Sequence, residues 1–218
     1  MRPFLLTWAA VLSLVFGLRG QAAPTAEEEA AYTQSITARA DKIVAPLAIA
    51  DAAKASRVRD LIVQQYRDLR DVHAARDAKI AQVKPSDDAS LGATWKSLAQ
   101  KEADLNIFPL HRRFVARLES ELTPEQVNQV KDGMTYGVVP LTYRRYHELL
   151  PDLTVEQQAE ILANLLEARE YAMDAGSSED KHAWFGKYKG RINNYLSAAG
   201  YNMKQAEQDL AEREKAAQ

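Results

Sequence analysis

The sequence predicts an all-α protein, a bundle of about six to eight helices. Apolar residues recur at spacings of three and four, glycine is nearly absent between residues 23 and 122, and helix-start motifs recur along the chain. The chain has 218 residues, 46 % of them hydrophobic, and no cysteine, so its stability has to come from packing. We expect long helices in the N-terminal half and shorter ones in the C-terminal half.

The charge balance excludes several classes of function. Against 28 Lys and Arg stand 30 Asp and Glu, so the basic excess that nucleic-acid binding requires is missing. There is no glycine-rich phosphate loop, and the four histidines show no metal-ligand spacing. We therefore expect no nucleic-acid partner, no cofactor and no metal.

The N-terminus predicts a secretory signal peptide over residues 1–22. Arg2 precedes an apolar run from Phe4 to Leu18, and small residues stand at Gly20 and Ala22, which favours cleavage after Ala22. The alternative is an uncleaved anchor, but the run is shorter than the about 20 residues that a spanning helix needs. No other segment could cross a membrane, so we expect a periplasmic or extracellular protein.

The first helices have readable starts. Thr25 and Glu28 form a capping box, and Pro46 ends or bends the helix that this box begins. Asp51 caps a second helix that runs to about residue 84, with an apolar stripe suited to packing against another helix. We expect a loop over residues 85–88 and a third helix over residues 91–118, bent at Pro109.

A short motif, Leu-Thr-x-x-Gln, occurs at residues 122–126 and again at residues 153–157. Its Thr is an N-cap and its Gln completes a capping box, so a plain helix start explains nearly all of it. We divide a single domain, residues 23–218, into a long-helix half that ends near residue 121, a site-bearing half over residues 122–201 and a polar terminal helix over residues 202–218, with Asn202 as its N-cap.

Residues 173–195 hold the densest group of polar and aromatic side chains. Gly176 is expected to cap the end of one helix, and Ser177 to start the next with Asp180 in its first turn. The helical period then places four side chains on one side of that helix: Trp184, Tyr188, Arg191 and Tyr195. A core stripe is the alternative, and it suits Tyr195 better than Arg191, whose five donors need partners.

A second, polar side of the same helix carries His182, Lys189 and Asn193. Gly186 and Gly190, four residues apart, leave a strip without side chains where a helix or a ligand could approach.

Aromatic faces beside Arg, Lys and Asn are what a sugar requires. The C–H face of a pyranose packs on an aromatic ring, its hydroxyls need directional donors and acceptors, and an acidic sugar would add a charge-assisted bond to Arg191 or Lys189. We therefore predict an oligo- or polysaccharide partner, bound by Tyr136, Tyr143, Asp174, His182, Trp184, Tyr188, Lys189, Arg191 and Asn193. Whether residues 133–147 meet residues 174–195 in space is left open by the sequence.

Three segments carry a family resemblance: KDGMTYGVVP at residues 131–140, REYAMDAGSS at residues 169–178 and KHAWFGKYKGRINNY at residues 181–195. They resemble family 3826 of domains of unknown function. The resemblance implies an exported bacterial protein associated with sugar binding, of the kind met in polysaccharide-degrading bacteria. It carries over no catalytic residues.

Two alternatives stay open. The first is a polysaccharide-acting enzyme, a hydrolase with two carboxylates or a lyase with a cation and a Tyr, His or Lys base, whose catalytic residues the sequence does not identify. The second is an all-helical periplasmic chaperone or stress regulator, which the Leu-Thr-x-x-Gln motifs resemble. An exposed apolar concave face would favour the chaperone, and a compact pocket of aromatic residues and Arg would favour sugar.

Overall fold

The computed structural model describes residues 24–83 and 89–216. Within them the chain forms eight α-helices and no strand: α1 (Ala26–Val44), α2 (Ala52–Ala81), α3 (Ala89–Glu121), α4 (Pro124–Met134), α5 (Val138–Leu149), α6 (Val155–Met173), α7 (Ser178–Ala198) and α8 (Met203–Ala216). The predicted all-α fold is confirmed. The predicted signal peptide and the loop at residues 85–88 lie outside the described residues. None of the helices described is both long and apolar enough to cross a membrane.

The predicted helix starts are confirmed. Thr25, Thr123 and Thr154 each accept from the backbone N–H three residues on, while the Glu or Gln at that position accepts from the Thr backbone N–H. Asp51 accepts from the first N–H groups of α2, and Asn202 does so for α8. Local side-chain chemistry therefore sets where these helices begin.

The N-terminal core lies among α1, α2, α3 and α4. Leu122 and Val127, the two sides of the hydrophobic staple at the start of α4, are both buried in it. The stripe of α2 is buried at Val58 and Leu69 but only half-buried at Ile80. The far parts of α2 and α3 therefore form a helical hairpin that packs mainly on itself.

The C-terminal core lies among α5, α6, α7 and α8. Its members include Ile161, Leu165, Phe185, Ile192 and Leu196, each at most 2 % exposed. Only four residues, 174–177, join α6 to α7, so the two helices return alongside each other. α4 contacts both α1 and α6, and it links the two cores.

Lys181 joins the C-terminal ends of α4 and α6 by hydrogen bonds. Its ammonium donates to the carbonyl oxygens of Met134 and Met173, the last residues of α4 and α6, at 3.2 and 3.3 Å. A positive charge at a helix C-terminus is favourable, and here one charge serves two helices. Burial lowers the pKa of Lys181 to about 8.

The prediction that Gly176 caps the end of α6 is wrong. Asp174 holds that position, and the φ of Gly176 is not positive. A Cβ at residue 176 would lie 2.8 Å from Cγ of His73, so the glycine is needed for the close approach of α2.

Candidate functional site

Stacked aromatic side chains lie where α6 and α7 run side by side. The rings of Tyr171 and Trp184 stack with centroids 4.6 Å apart and planes 16° apart, and the Tyr188 ring centroid lies 6.3 Å from that of Tyr171. Trp184 and Tyr188 are four residues apart on α7, so both face the same side of α6. We call Tyr171, Trp184 and Tyr188 the aromatic surface.

The members of the aromatic surface differ in exposure. Tyr171 is 48 % exposed and Trp184 is partly exposed, whereas Tyr188 is 3 % exposed. Tyr188 therefore supports the surface from below, and the other two rings present it. Burial, with the Glu167 carboxylate beside the hydroxyl, raises the pKa of Tyr188 to about 12.

Two cations border the aromatic surface. Lys187 Nζ lies 4.8 Å from the Trp184 ring centroid, and Arg191 Cζ lies 4.9 Å from that of Tyr188. Arg191 Nη1 is 3.5 Å from Glu167 Oε2, and its side chain is 54 % exposed. Most of the guanidinium donors of Arg191 are therefore available to a ligand, as is the carboxylate of the half-exposed Glu167.

The glycines of α7 leave open space next to this surface. A Cβ added at Gly186 or at Gly190 would meet no heavy atom within 4 Å, and both residues are exposed. The expected strip without side chains is therefore present, and no described helix covers it.

The remaining predicted residues fall into three other places. Tyr136 stacks on His182 with centroids 5.7 Å apart, so the turn after α4 does meet the start of α7. The backbone of Tyr136 is in the left-handed region, with φ of 60°, a conformation that bulky residues rarely adopt. Lys189 is exposed on α7.

On the α5 side of α7, two predicted residues are held by protein partners. Asn193 Oδ1 accepts a 2.7 Å bond from the buried Tyr146 hydroxyl, and the Tyr143 ring packs edge-on against His147 at 4.5 Å. The alternative of a core position for Tyr195 is wrong, since that residue is 38 % exposed while its neighbours Ile192 and Leu196 are buried.

Asp174, a predicted sugar-binding residue, lies away from the aromatic surface. It belongs to a group of charged residues whose association the sequence did not indicate. Its Oδ2 accepts a 2.6 Å bond from Nδ1 of His111 on α3, and the other ring nitrogen of His111 lies 3.4 Å from Glu170 Oε2. Lys131 of α4 donates to the same Glu170 oxygen at 2.7 Å. The charged cluster, as we name it, consists of His111, Lys131, Asp132, Arg169, Glu170 and Asp174.

The charges of the cluster stabilise one another. The hydrogen bonds to Asp174 and Glu170 raise the pKa of His111 to about 9. Burial opposes ionisation of Glu170, but its bonds to His111 and Lys131 outweigh that effect and lower its pKa to about 2. At neutral pH the imidazolium of His111 therefore has both N–H groups directed at carboxylates.

Arg169 completes the cluster and is 4 % exposed. Its Nη1 donates to Asp132 at 2.8 Å and its Nη2 to Asn128 at 2.7 Å, which fastens α6 to α4. On the other side, His73 Nε2 hydrogen-bonds the Asp174 carbonyl oxygen at 2.8 Å. The cluster thus joins α2, α3, α4 and α6.

The two groups suit different tasks. The aromatic surface has exposed ring faces with spare donors and an acceptor at its border, an arrangement that can hold a polyhydroxylated ring. The members of the charged cluster are bonded mainly to one another, with only Nε of Arg169 lacking a hydrogen bond, and the cluster suits a structural role. Over residues 24–83 and 89–216, no group of three or more His, Asp or Glu is arranged to hold a metal ion.

Comparison with known proteins adds one match. The family model described as "Protein of unknown function (DUF3826)" matches residues 33–216. No curated protein matches significantly. Since the model spans α1 to α8 almost completely, the chain belongs to the DUF3826 family.

Proposed function

We propose that this protein is an exported carbohydrate-binding protein of polysaccharide utilisation, and that the aromatic surface on α6 and α7 is its binding site. The observation that carries the proposal is the exposed Tyr171–Trp184 stack, bordered by Lys187, Arg191 and Glu167. Tyr188 belongs to the C-terminal core and Trp184 packs against it, whereas the half-exposed Tyr171 has no part in that core.

The chemistry of the surface matches a sugar ring. The C–H face of a pyranose removes apolar area from water when it packs on Tyr171 or Trp184. Arg191 offers donors to hydroxyls and Glu167 offers acceptors, which fixes the orientation of the ring. Lys187 and Arg191 outnumber Glu167, and this excess of cations favours a sugar that carries a carboxylate.

A glycan array of the purified protein tests the proposal. Wild type should bind a defined glycan class, and Trp184→Ala and Arg191→Ala should each lose it. Trp95→Ala is the matched control, because Trp95 is 63 % exposed on α3, away from both helices of the site. Absence of binding by folded wild type, or equal loss in Trp95→Ala, would contradict the proposal.

Turnover of the bound glycan is the second candidate. Glu170 of the charged cluster directly precedes Tyr171 on α6, so a histidine and two carboxylates lie one helical step from the aromatic surface. Binding is favoured over turnover because His111 is protonated and both of its ring nitrogens face carboxylates, those of Asp174 and Glu170. It therefore has no free nitrogen to act as a base. Chromatographic detection of shorter or unsaturated products, absent in His111→Gln, would establish turnover.

A chaperone role is supported by a different part of the molecule. Leucine and aromatic side chains of α3 are exposed, as a surface for unfolded clients would require. Two of them, Trp95 and Leu98, line a groove between α2 and α3. The aromatic surface of α7 has no part in such a role. Suppression of the aggregation of a heat-denatured reference protein tests this alternative.

A further inference from the structure

The surface of α3 carries an apolar stripe that no described helix covers. Its five members are 50 % to 75 % exposed: Leu91, Trp95, Leu98, Leu105 and Phe108. The first three and Leu105 follow the spacing of three, four and seven residues that keeps side chains on one side of a helix. Only Glu102 interrupts the row, and it is ion-paired with Lys79 of α2.

The residues of α3 are arranged in the opposite sense to those of an ordinary surface helix. Over residues 89–108 the buried side of α3 is built from small residues, Gly92, Ala99 and Ala103, while the large apolar side chains face outward. Only the C-terminal part of α3 buries large residues, Phe114 and Leu118, in the N-terminal core. An amphipathic helix of a monomer turns its large apolar residues toward its own core. The large apolar residues over 89–108 are therefore without a partner among the described helices.

The stripe is large enough for a stable interface. An aromatic side chain covers roughly 150–250 Å² when fully buried and a leucine less, so these five, about 60 % exposed, offer on the order of 500 Å². That lies within the range of the largest apolar patch of a typical monomer, about 300–600 Å², which is often functional. A twofold pair would cover roughly 1,000 Å², about the area that a biological interface should reach.

The shape of the hairpin is complementary to itself. At the far end of α2 and α3 a groove of about 460 Å³ opens between the helices, lined in part by Val83, Trp95 and Leu98. At the other end of the stripe Leu105 and Phe108 protrude, 75 % and 61 % exposed. An antiparallel pair of hairpins brings the protruding end of each to the grooved end of the other, as a twofold interface requires.

We propose that the apolar stripe is the interface of a homodimer, in which two α2–α3 hairpins pack antiparallel as a four-helix bundle. Phe108 and Leu105 of one copy fill the groove beside Trp95 of the other. Lys101 and Asp104 each stand four residues from a member of the stripe, and the Arg112 guanidinium lies 5.6 Å from the Phe108 ring centroid. These charges are of both signs, so two copies of this face do not repel each other strongly.

Light scattering coupled to gel filtration, from micromolar to 100 µM protein, tests the dimer. Wild type should have twice the mass of the chain, and Leu98→Glu and Phe108→Glu should have the monomer mass. Leu141→Glu is the matched control: Leu141 is 59 % exposed, like the stripe, but lies on α5, and this variant should stay dimeric. Circular dichroism verifies that each variant is folded.

Cysteine crosslinking tests the antiparallel orientation, since the chain has no cysteine of its own. The double variant Leu91→Cys/Phe108→Cys should form intermolecular disulfides on mild oxidation, and either single variant should form few.

A wild type that is monomeric at 100 µM would overturn the proposal. So would a monomer that suppresses aggregation of a denatured protein and loses this ability in Leu98→Glu, because the occupant would then be a client chain. Glycan binding should survive Leu98→Glu, which keeps this test separate from that of the sugar site.

Discussion

Two neighbouring sides of α6 carry functional side chains in very different settings. On one side, Arg169, Glu170 and Asp174 are bonded to residues of α3 and α4, and Arg169 is almost fully buried. On the other, Tyr171 stacks on Trp184 with half of its surface in solvent, and Arg191 makes one long contact with Glu167.

This difference indicates that one side of α6 stabilises the fold and the other is available for binding. Removing one of two buried polar partners lowers the stability of the protein, because the other is left buried and unpaired. Groups that face solvent cost little folding free energy to change, but they are available to a ligand. Substitutions in the charged cluster should therefore alter stability, and substitutions on the aromatic surface should alter binding.

The largest expected effect comes from two Arg→Met substitutions. Arg169→Met should lower the free energy of unfolding by about 3 kcal/mol, because it leaves Asp132 and Asn128 without their buried partner. Arg191→Met, whose side chain is 54 % exposed, should lower it by less than about 1 kcal/mol. Urea unfolding measures both, and a similar loss in the two variants would remove the distinction between the two sides.

A pair of Gly→Ala substitutions should change stability in opposite directions. Gly176→Ala should cost about 1–3 kcal/mol, since the new methyl group would lie 2.8 Å from the His73 ring. Gly186→Ala should raise the free energy of unfolding by up to about 1 kcal/mol, because the site is open and alanine favours helix. Thermal unfolding measures both variants. Destabilisation by Gly186→Ala would contradict the open space found beside residue 186.

Tyr171→Ala should weaken glycan binding at least tenfold, about 1.4 kcal/mol, because it removes half of the exposed stack. Stability should change little, since the ring is half in solvent. Tyr195→Ala is the control on α7: its ring is 38 % exposed and lies outside the stack. Titration calorimetry with the glycan identified on the array measures both variants, and equal affinities would contradict the assignment of the surface.

Stability should fall as pH rises from 6.5 to 8. The pKa of His111 is raised from 6.5 to about 9 on folding, so its contribution is complete below pH 6.5 and is lost as pH rises through 9. Lys181, with its pKa lowered to about 8, acts in the opposite direction only above pH 8. Allowing for partial exposure of the ring, we expect a fall of about 1 kcal/mol in this window.

The measurement is urea unfolding at several pH values, with His111→Gln as the variant that should lose this dependence. A pH profile that is unchanged in His111→Gln would show that the cluster does not act through this residue.

The sequence predicted those features that depend on near neighbours. Thr25, Thr123 and Ser177 start helices because their side chains bond the backbone three residues on, and this can be read from spacing. The same period correctly places Trp184, Tyr188 and Arg191 together. Gly176 was misassigned because its constraint comes from His73, about a hundred residues earlier in the chain.

Two residues of the site were missed for the same reason, because their contacts join parts of the chain that are far apart in sequence. Tyr171 joins the aromatic surface only because α6 and α7 lie side by side, and His111 meets Asp174 across 63 residues of sequence. No local pattern marks either contact. The nine predicted sugar-binding residues are consequently spread over several places, and the sugar-binding role itself stays a prediction.

The most direct test follows the indole N–H resonances of Trp184 and Trp95 by nuclear magnetic resonance. One tryptophan lies in the aromatic surface and the other in the apolar stripe of α3. During titration with the glycan that binds best on the array, the Trp184 resonance should shift to saturation while that of Trp95 stays in place. A Trp184 resonance that does not move, or a shift confined to Trp95, would contradict a sugar site on α6 and α7.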